Sequence, residues 1–302
     1  MANSTADRDT SLETLDGIDH AVISVHDLEG AAKAWTNLGF TLAPKGVHSP
    51  HIGTANYTIM LADDYIELIG VVTPTDNNIS TRDYLAIREG LDRAAFASTD
   101  ASRGIAALRA RGIDGTGPLD FSRPVKLVDG RQTEAQFRTF AWPRTQRPGN
   151  VRLFACEHLT RAAVWQPHLT AHANTAVRIE RIEVVSADPT AAAAFMHRLT
   201  GLPVQTLADG TVRVKTSAAE SRRPSACYEF LDAATLGRRY PGLPLGPLPR
   251  EGAMSLSLGV TDIDAARTAL GDRAVDLGDG RIAVPPHVAN GVIVAFGPRQ
   301  SG

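Results

Sequence analysis

Apolar and polar residues alternate from Gly17 through Val25, the period of a strand. The period then lengthens, so that Leu28, Ala31, Ala32, Ala34, Trp35 and Leu38 form one helical stripe ending at Gly39. Asp27, just ahead of the stripe, is placed to cap the helix. Three short β-like runs follow, Phe40-Thr41-Leu42, 55–61 and 65–69, separated by Gly, Pro and Asp-Asp punctuation. The unit reads βαβββ.

This unit recurs. His20 and Asp27 are matched by Arg93 and Asp100, both 73 positions on, and by Arg181 and Asp188, both 161 on; a weaker fourth copy puts Ser255 and Asp262 at a shared offset of 235. Two landmarks that move together argue for internal duplication. The stretch from His158 to Ala176 fits no copy and reads as a connection. The expected organisation is an α+β fold of four βαβββ modules: a frayed tail over 1–16, a module pair over 17–158, a linker over 159–176 and a second, degenerate pair over 177–302.

Composition narrows the partners. With 31 Lys+Arg against 33 Asp+Glu and a formal charge of -2, the chain has no field strong enough to gather nucleic acid or anionic lipid. A small-molecule partner is expected, with a homodimer left open. Cys156 and Cys227 lack the paired spacing of a zinc ribbon or disulfide framework. Residues 1–16 lack the apolar core of a signal peptide, and no run approaches the length of a membrane span, so a cytoplasmic location is expected.

Four βαβββ modules in 302 residues resemble the vicinal oxygen chelate superfamily, which includes glyoxalase I, extradiol dioxygenases and fosfomycin-resistance proteins. Ile18-Asp19-His20-Ala21-Val22, Gly53-Thr54-Ala55-Asn56, Tyr65-Ile66-Glu67-Leu68 and, in the linker, Val164-Trp165-Gln166-Pro167 look like its glyoxalase-like branch. The resemblance implies paired modules forming a curved sheet. Its concave face would hold a divalent metal on ligands from first and last strands, chelating two adjacent substrate oxygens.

His20 shares a strand face with Val22 and Ser24, and Glu67 with Tyr65 and Ile69. An unpaired carboxylate buried in an apolar strand costs several kcal/mol or takes up a proton, so Glu67 needs a cation, a donor or a metal. The resemblance makes His20 and Glu67 metal ligands, and imidazole with carboxylate suits Fe, Mn, Zn or Ni better than Ca or Mg. The matching strand of the second module carries Arg93, whose guanidinium cannot coordinate. The third ligand is then His158 or Glu157, which alternation sends to opposite faces; His158 is preferred, leaving Glu157 beside Glu67 as a catalytic base. The competing reading ties Glu67 to Arg93 in a buried ion pair.

His48 and His51 lie in the loop before Gly53, and Asn56 and Tyr57 on the strand after it. His51, Asn56, Tyr57, Arg93, Arg123 and Arg138 are candidate substrate contacts, the last two arginines as clamps for a carboxylate or phosphate. In the second pair the matching positions are Arg181 and Ser255, and the last strand, 291–296, carries no carboxylate, so metal chemistry is not expected there. The resemblance puts the metal of four-module extradiol dioxygenases in the C-terminal pair, which weighs against ring cleavage. The expected activity is a metal-dependent lyase or isomerase reaction through an enolate-like intermediate. The alternatives are a metal-free small-molecule binding or resistance protein and a ring-cleaving dioxygenase.

Overall fold

The aspartates that mark the repeat cap its helices. In the computed structural model, which describes residues 12–217 and 226–299, Asp27, Asp100, Asp188 and Asp262 each accept a backbone N–H from the first helical turn at 2.9 Å. The first pair runs β1 (Leu15–Val25), α1 (Leu28–Asn37), β2 (Gly46–Val47), β3 (Thr54–Met60), β4 (Tyr65–Val71), α2 (Ile79–Leu85), β5 (Gly90–Ser98), α3 (Ala101–Ala110), β6 (Thr116–Lys126), β7 (Gln132–Ala141) and β8 (Arg152–His158). After a short helix, α4 (Arg161–Val164), the second pair runs β9 (Ala176–Val185), α5 (Pro189–Thr200), β10 (Val204–Thr206), β11 (Val212–Lys215), β12 (Cys227–Leu231), α6 (Ala233–Arg239), β13 (Gly252–Val260), α7 (Ile263–Leu270), β14 (Val275–Asp276), β15 (Ile282–Val284) and β16 (Ile293–Pro298).

Each pair makes one eight-stranded sheet, in the orders β2-β3-β4-β1-β5-β8-β7-β6 and β10-β11-β12-β9-β13-β16-β15-β14. Within a module the last strand lies parallel to the first, and the two first strands of a pair meet antiparallel at the sheet centre. The register preserves the sequence offset. His20 faces Ala95 and Val22 faces Arg93, so a local two-fold exchanges His20 with Arg93. In the second sheet Arg181 faces Ser257 and Glu183 faces Ser255, the same relation.

Alternation decides which side chains meet the helices and which meet the cleft. Ala21, Ile23 and Val25 join Trp35, Met196, Phe230, Leu256 and Phe296 in one apolar core that spans both pairs, while His20, Val22 and Ser24 take the opposite face. Trp35 is fully buried and its indole N–H donates to Asn290 at 3.2 Å, joining the halves.

Three expectations shift. Residues 1–11 of the expected tail lie outside the described residues; from Leu12 the chain is held, with Leu12 N donating to Thr200 O and Gly17 N to Thr216 O, both at 3.0 Å. Phe40-Thr41-Leu42 is not a strand, because Thr41 bonds the connection between the pairs: its N–H donates to His172 Nδ1 at 3.0 Å and its hydroxyl to Ala171 O at 2.6 Å. That connection is folded onto the first pair, through Trp165 Nε1 to Leu61 O at 3.0 Å and the buried Asn174 Nδ2 to Leu38 O at 2.8 Å. No helix among the described residues is long and apolar enough to cross a membrane.

Candidate functional site

A β-bulge builds the centre of the site. Pairing between β1 and β5 steps from Ile18 opposite Phe96 directly to His20 opposite Ala95, leaving Asp19 as an extra residue. The bulge breaks the alternation and brings the Asp19 carboxylate to the imidazoles of both His20 and His158. His20 Nδ1 lies 2.6 Å from Asp19 Oδ1, and His158 Nε2 lies 3.0 Å from each Asp19 oxygen. Burial would raise the Asp19 pKa, but the two histidines outweigh it and hold the carboxyl far below its usual range. A carboxylate only accepts, so His20 Nδ1 carries the proton and Nε2 is the atom turned toward the cleft.

Across that cleft His20 Nε2 and Glu67 Oε2 stand 3.7 Å apart. Glu67 Oε1 accepts from Asn56 Nδ2 at 2.6 Å, and Asn56 in turn approaches His48 Nε2 at 3.5 Å, whose Nδ1 sits 2.7 Å from Thr54 Oγ1. Burial opposes ionisation of Glu67, yet His20, His48, the Asn56 hydrogen bond and Arg93 together lower its pKa, so it is a buried carboxylate at neutral pH. Burial pushes the His48 pKa down. These groups open onto a cavity of about 200 Å³ between the arms of the first sheet, walled by Phe121, Phe137 and Phe154 and reached by Arg93 and Arg123.

The candidates from the sequence separate into two groups. His20, Asn56, Glu67, Arg93 and Arg123 line the cavity. Arg93 is bound to Asp92 and reaches Thr81 Oγ1 at 3.4 Å, so no direct ion pair ties it to Glu67. Arg123 makes no ion pair or hydrogen bond among the described residues. The others are turned elsewhere. Tyr57 donates to Glu29 at 2.8 Å on the outer face, Arg138 grips Asp120 through two bonds of 2.6 and 2.9 Å, and Glu157 accepts from Ala101 N at 2.9 Å at the start of α3. His51 is exposed, touching Asn77 Nδ2 through its carbonyl at 2.9 Å. His158 packs among Tyr65, Phe137 and Trp165 with its ring on Asp19. Asp19, Cys156 and His158 form a candidate metal-coordinating cluster, with ligand atoms within 4.8 Å of one another.

A family model described as the glyoxalase-like domain matches residues 18–200, more than half of the chain. The protein belongs to the glyoxalase-like domain family of the vicinal oxygen chelate superfamily. No curated protein matches the chain. Among solved structures of similar fold, a hypothetical protein from Staphylococcus aureus has a TM-score of 0.65 at 11% identity, covering 93% of this chain and 99% of its own. A mutant of 4-hydroxymandelate synthase from Streptomyces coelicolor has a TM-score of 0.59 at 13% identity, covering 96% and 95%. A Mn(II)-bound glyoxalase from Novosphingobium aromaticivorans has a TM-score of 0.53 at 15% identity, covering 94% and 82%.

The glyoxalase-like repeat allows the clefts to be compared place by place. Glu67 is the β4 residue opposite Val22; the equivalent residues are Phe154 in β8, Glu229 in β12 and Ala295 in β16. The first cleft therefore carries His20, Glu67, Arg93 and Phe154 at its four equivalent places, and the second Arg181, Glu229, Ser255 and Ala295. Glu229 was not singled out in the sequence, although it stands where Glu67 does. In the second cleft α6 and its cap fill the space: Arg239 Nη1 binds Glu183 at 2.7 Å and also binds Glu229, while the Tyr240 hydroxyl binds Glu183 and lies 2.6 Å from Ser255 Oγ.

Proposed function

We propose that the protein is an enzyme that holds a small oxygenated organic acid in the first cleft and moves a proton beside its carbonyl group, a reaction of the lyase or isomerase type. The observation that carries this reading is the pair formed by His20 Nε2 and the ionised Glu67 at 3.7 Å on the cavity wall, with the other imidazole nitrogen fixed by Asp19. Asn56 occupies Glu67 Oε1 and leaves Oε2 facing the cleft, to take a proton where no ion is held between it and His20. Arg123, unpaired at the cavity, is the anchor for the substrate carboxylate. Phe121, Phe137 and Phe154 give the cavity an apolar wall against which a small organic substrate packs.

The two facing atoms also fit a divalent ion. An imidazole nitrogen and a carboxylate oxygen 3.7 Å apart are donors that one such ion would take. A carboxylate on the far nitrogen, as Asp19 provides, is the usual partner of a metal-bound imidazole. His20 and Glu67 would hold Fe, Mn, Zn or Ni, and such an ion supplies Lewis-acid polarisation of a substrate oxygen when bound. The Mn(II) of the glyoxalase of similar fold supports this assignment. We give His158 a positioning role through Asp19: that carboxylate is taken by two imidazoles, and burial pushes the Cys156 thiol well up, so it stays protonated.

A second reading, a metal-free binding protein, is favoured by Arg93 and Phe154, which offer no ligand at the other two equivalent places. Elemental analysis of freshly purified protein and of the His20→Ala and Glu67→Ala variants, with solvent-deuterium uptake into a panel of 2-oxo acids followed by NMR, separates the two. Stoichiometric metal and deuterium uptake, both lost in the variants, support the enzyme. A metal-poor wild type that binds acids without exchange supports the binder.

A further inference from the structure

The second cleft is filled at its centre but open at one end. There a cavity of about 190 Å³ is lined by Arg181, Ser257, Ala295, Gly297 and the incoming Arg281. The register equates the first four with His20, Ala95, Phe154 and Cys156 of the first cleft. Two of those exchanges remove bulk, Phe to Ala and Cys to Gly. The glycine also lets Arg281 cross the strand, since a Cβ on Gly297 would lie 3.1 Å from Arg281 Cγ.

Eight side-chain polar atoms among the described residues are buried with no hydrogen-bond partner, and three of them are on residues that line this one cavity: Arg181 Nε, Ser257 Oγ and Arg281 Nη1. Such groups are costly unless something satisfies them. The protein does not. Glu183 and Glu229 have their oxygens hydrogen-bonded by Arg239, Arg213 and Tyr240, and Arg181 Nε forms only long ion pairs with them, 3.5 Å to Glu183 Oε1 and 3.9 Å to Glu229 Oε2, without a hydrogen bond. Glu180, also at the cavity, is bound by both arms of Arg178 at 2.6 and 2.8 Å. Asp279 grips Arg281 through Nε and Nη2, which leaves Nη1 as the remaining donor.

We propose that the C-terminal module pair binds a small oxyanion between Arg181, Ser257 and Arg281. Two guanidinium groups and a hydroxyl, with the neighbouring carboxylates already engaged, select an anion over a cation or a neutral molecule. The place of the metal-type imidazole of the first cleft is thus converted here into an anion subsite. Both tetrahedral phosphate and planar carboxylate carry this chemistry, and the test distinguishes them.

Calorimetric titration of the full chain with inorganic phosphate and, separately, with acetate at constant ionic strength is the experiment. It is run on wild type, on Arg123→Gln, and on Arg123→Gln with Ser257→Ala or Arg281→Gln added. The expected result in Arg123→Gln is one saturable site per chain for at least one of the two anions, with the first cleft adding a second site in wild type. That site persists in Arg123→Gln, which weakens anion binding in the first cleft, and it loses about fivefold in affinity when Ser257→Ala is added and tenfold or more when Arg281→Gln is added. Preference for phosphate assigns a tetrahedral ligand, and preference for acetate a carboxylate. No saturable binding to the Arg123→Gln protein, or affinity unchanged when Ser257→Ala is added, overturns the proposal; the serine variant decides alone if Arg281→Gln does not fold.

Discussion

Asp19→Ala removes the carboxylate from between two buried imidazoles and leaves His20 Nδ1 and His158 Nε2 without their partner. His158 Nδ1 is already a buried atom with no hydrogen bond, so that ring would lose its last polar contact. Hydrogen bonds to a charged group contribute about 1.5–3 kcal/mol each. Because the two bonds share one acceptor, they do not add in full, and a loss of about 3–5 kcal/mol is expected. Asp19→Asn keeps one acceptor oxygen and one imidazole contact, so its cost should be about half of that. Denaturant unfolding at neutral pH measures both, provided the slope is unchanged. Nitrogen-15 spectra of the histidines supply the second readout: wild type carries the His20 proton on Nδ1, and the alanine variant shifts population to Nε2, blocking the atom that faces Glu67. A loss below about 1 kcal/mol for Asp19→Ala, or an unchanged His20 tautomer, would refute the bulge-centred account of the site.

Asp64 gives a pH test. Both of its oxygens lie 3.1 Å from Ile179 N across the junction of the two pairs, and burial drives its pKa well above the usual value. A raised folded-state pKa means stability fully present below the unfolded value of about 3.9 and lost as pH rises through the folded one. Asp64→Asn should therefore flatten the fall in stability, read as the thermal midpoint, as pH rises from about 4, and an unaltered slope relative to wild type would count against it. Gly149 has φ +55, and a Cβ there would sit 2.5 Å from Val184 Cγ1 and 3.0 Å from Phe230 Cε1. Gly149→Ala combines left-handed strain with overpacking and should cost about 2–5 kcal/mol by denaturation. Arg123→Gln should change stability by no more than about 0.5 kcal/mol while weakening small organic acids in the first cleft about tenfold, read by titration.

How much of this was readable in advance depended on whether a residue sits in regular pairing. Where strands are regular, the period of two gave the face-mates of His20 and of Glu67, and the four helix-capping aspartates fell at the expected offsets. Arg93 followed from the same offset, and the two-fold pairing of β1 with β5 is its structural counterpart. Asp19 was missed because a bulge suspends alternation for one residue; the signal that could have found it is the acidic residue at the same repeat offsets, Asp92 and Glu180, which the pairing also skips. Arg138, Tyr57 and Glu157 were drawn away by partners remote in sequence, Asp120, Glu29 and the N-terminus of α3, which no local pattern reveals.

Glu229 shows the same limit from the other side. Its strand is only five residues long, too short to announce a period, yet its pairing opposite Glu183 places it where Glu67 stands opposite Val22. Equivalence in a duplicated sheet is therefore carried by register across strands more than by resemblance along them. A one-residue slip of β4 against β1 would turn Glu67 toward the helices and put Ile66 or Leu68 in the cleft. The fully buried Ile66 and Leu68 anchor the opposite face in the shared core and penalise that slip, so the apolar residues beside Glu67 are what hold its carboxylate against His20.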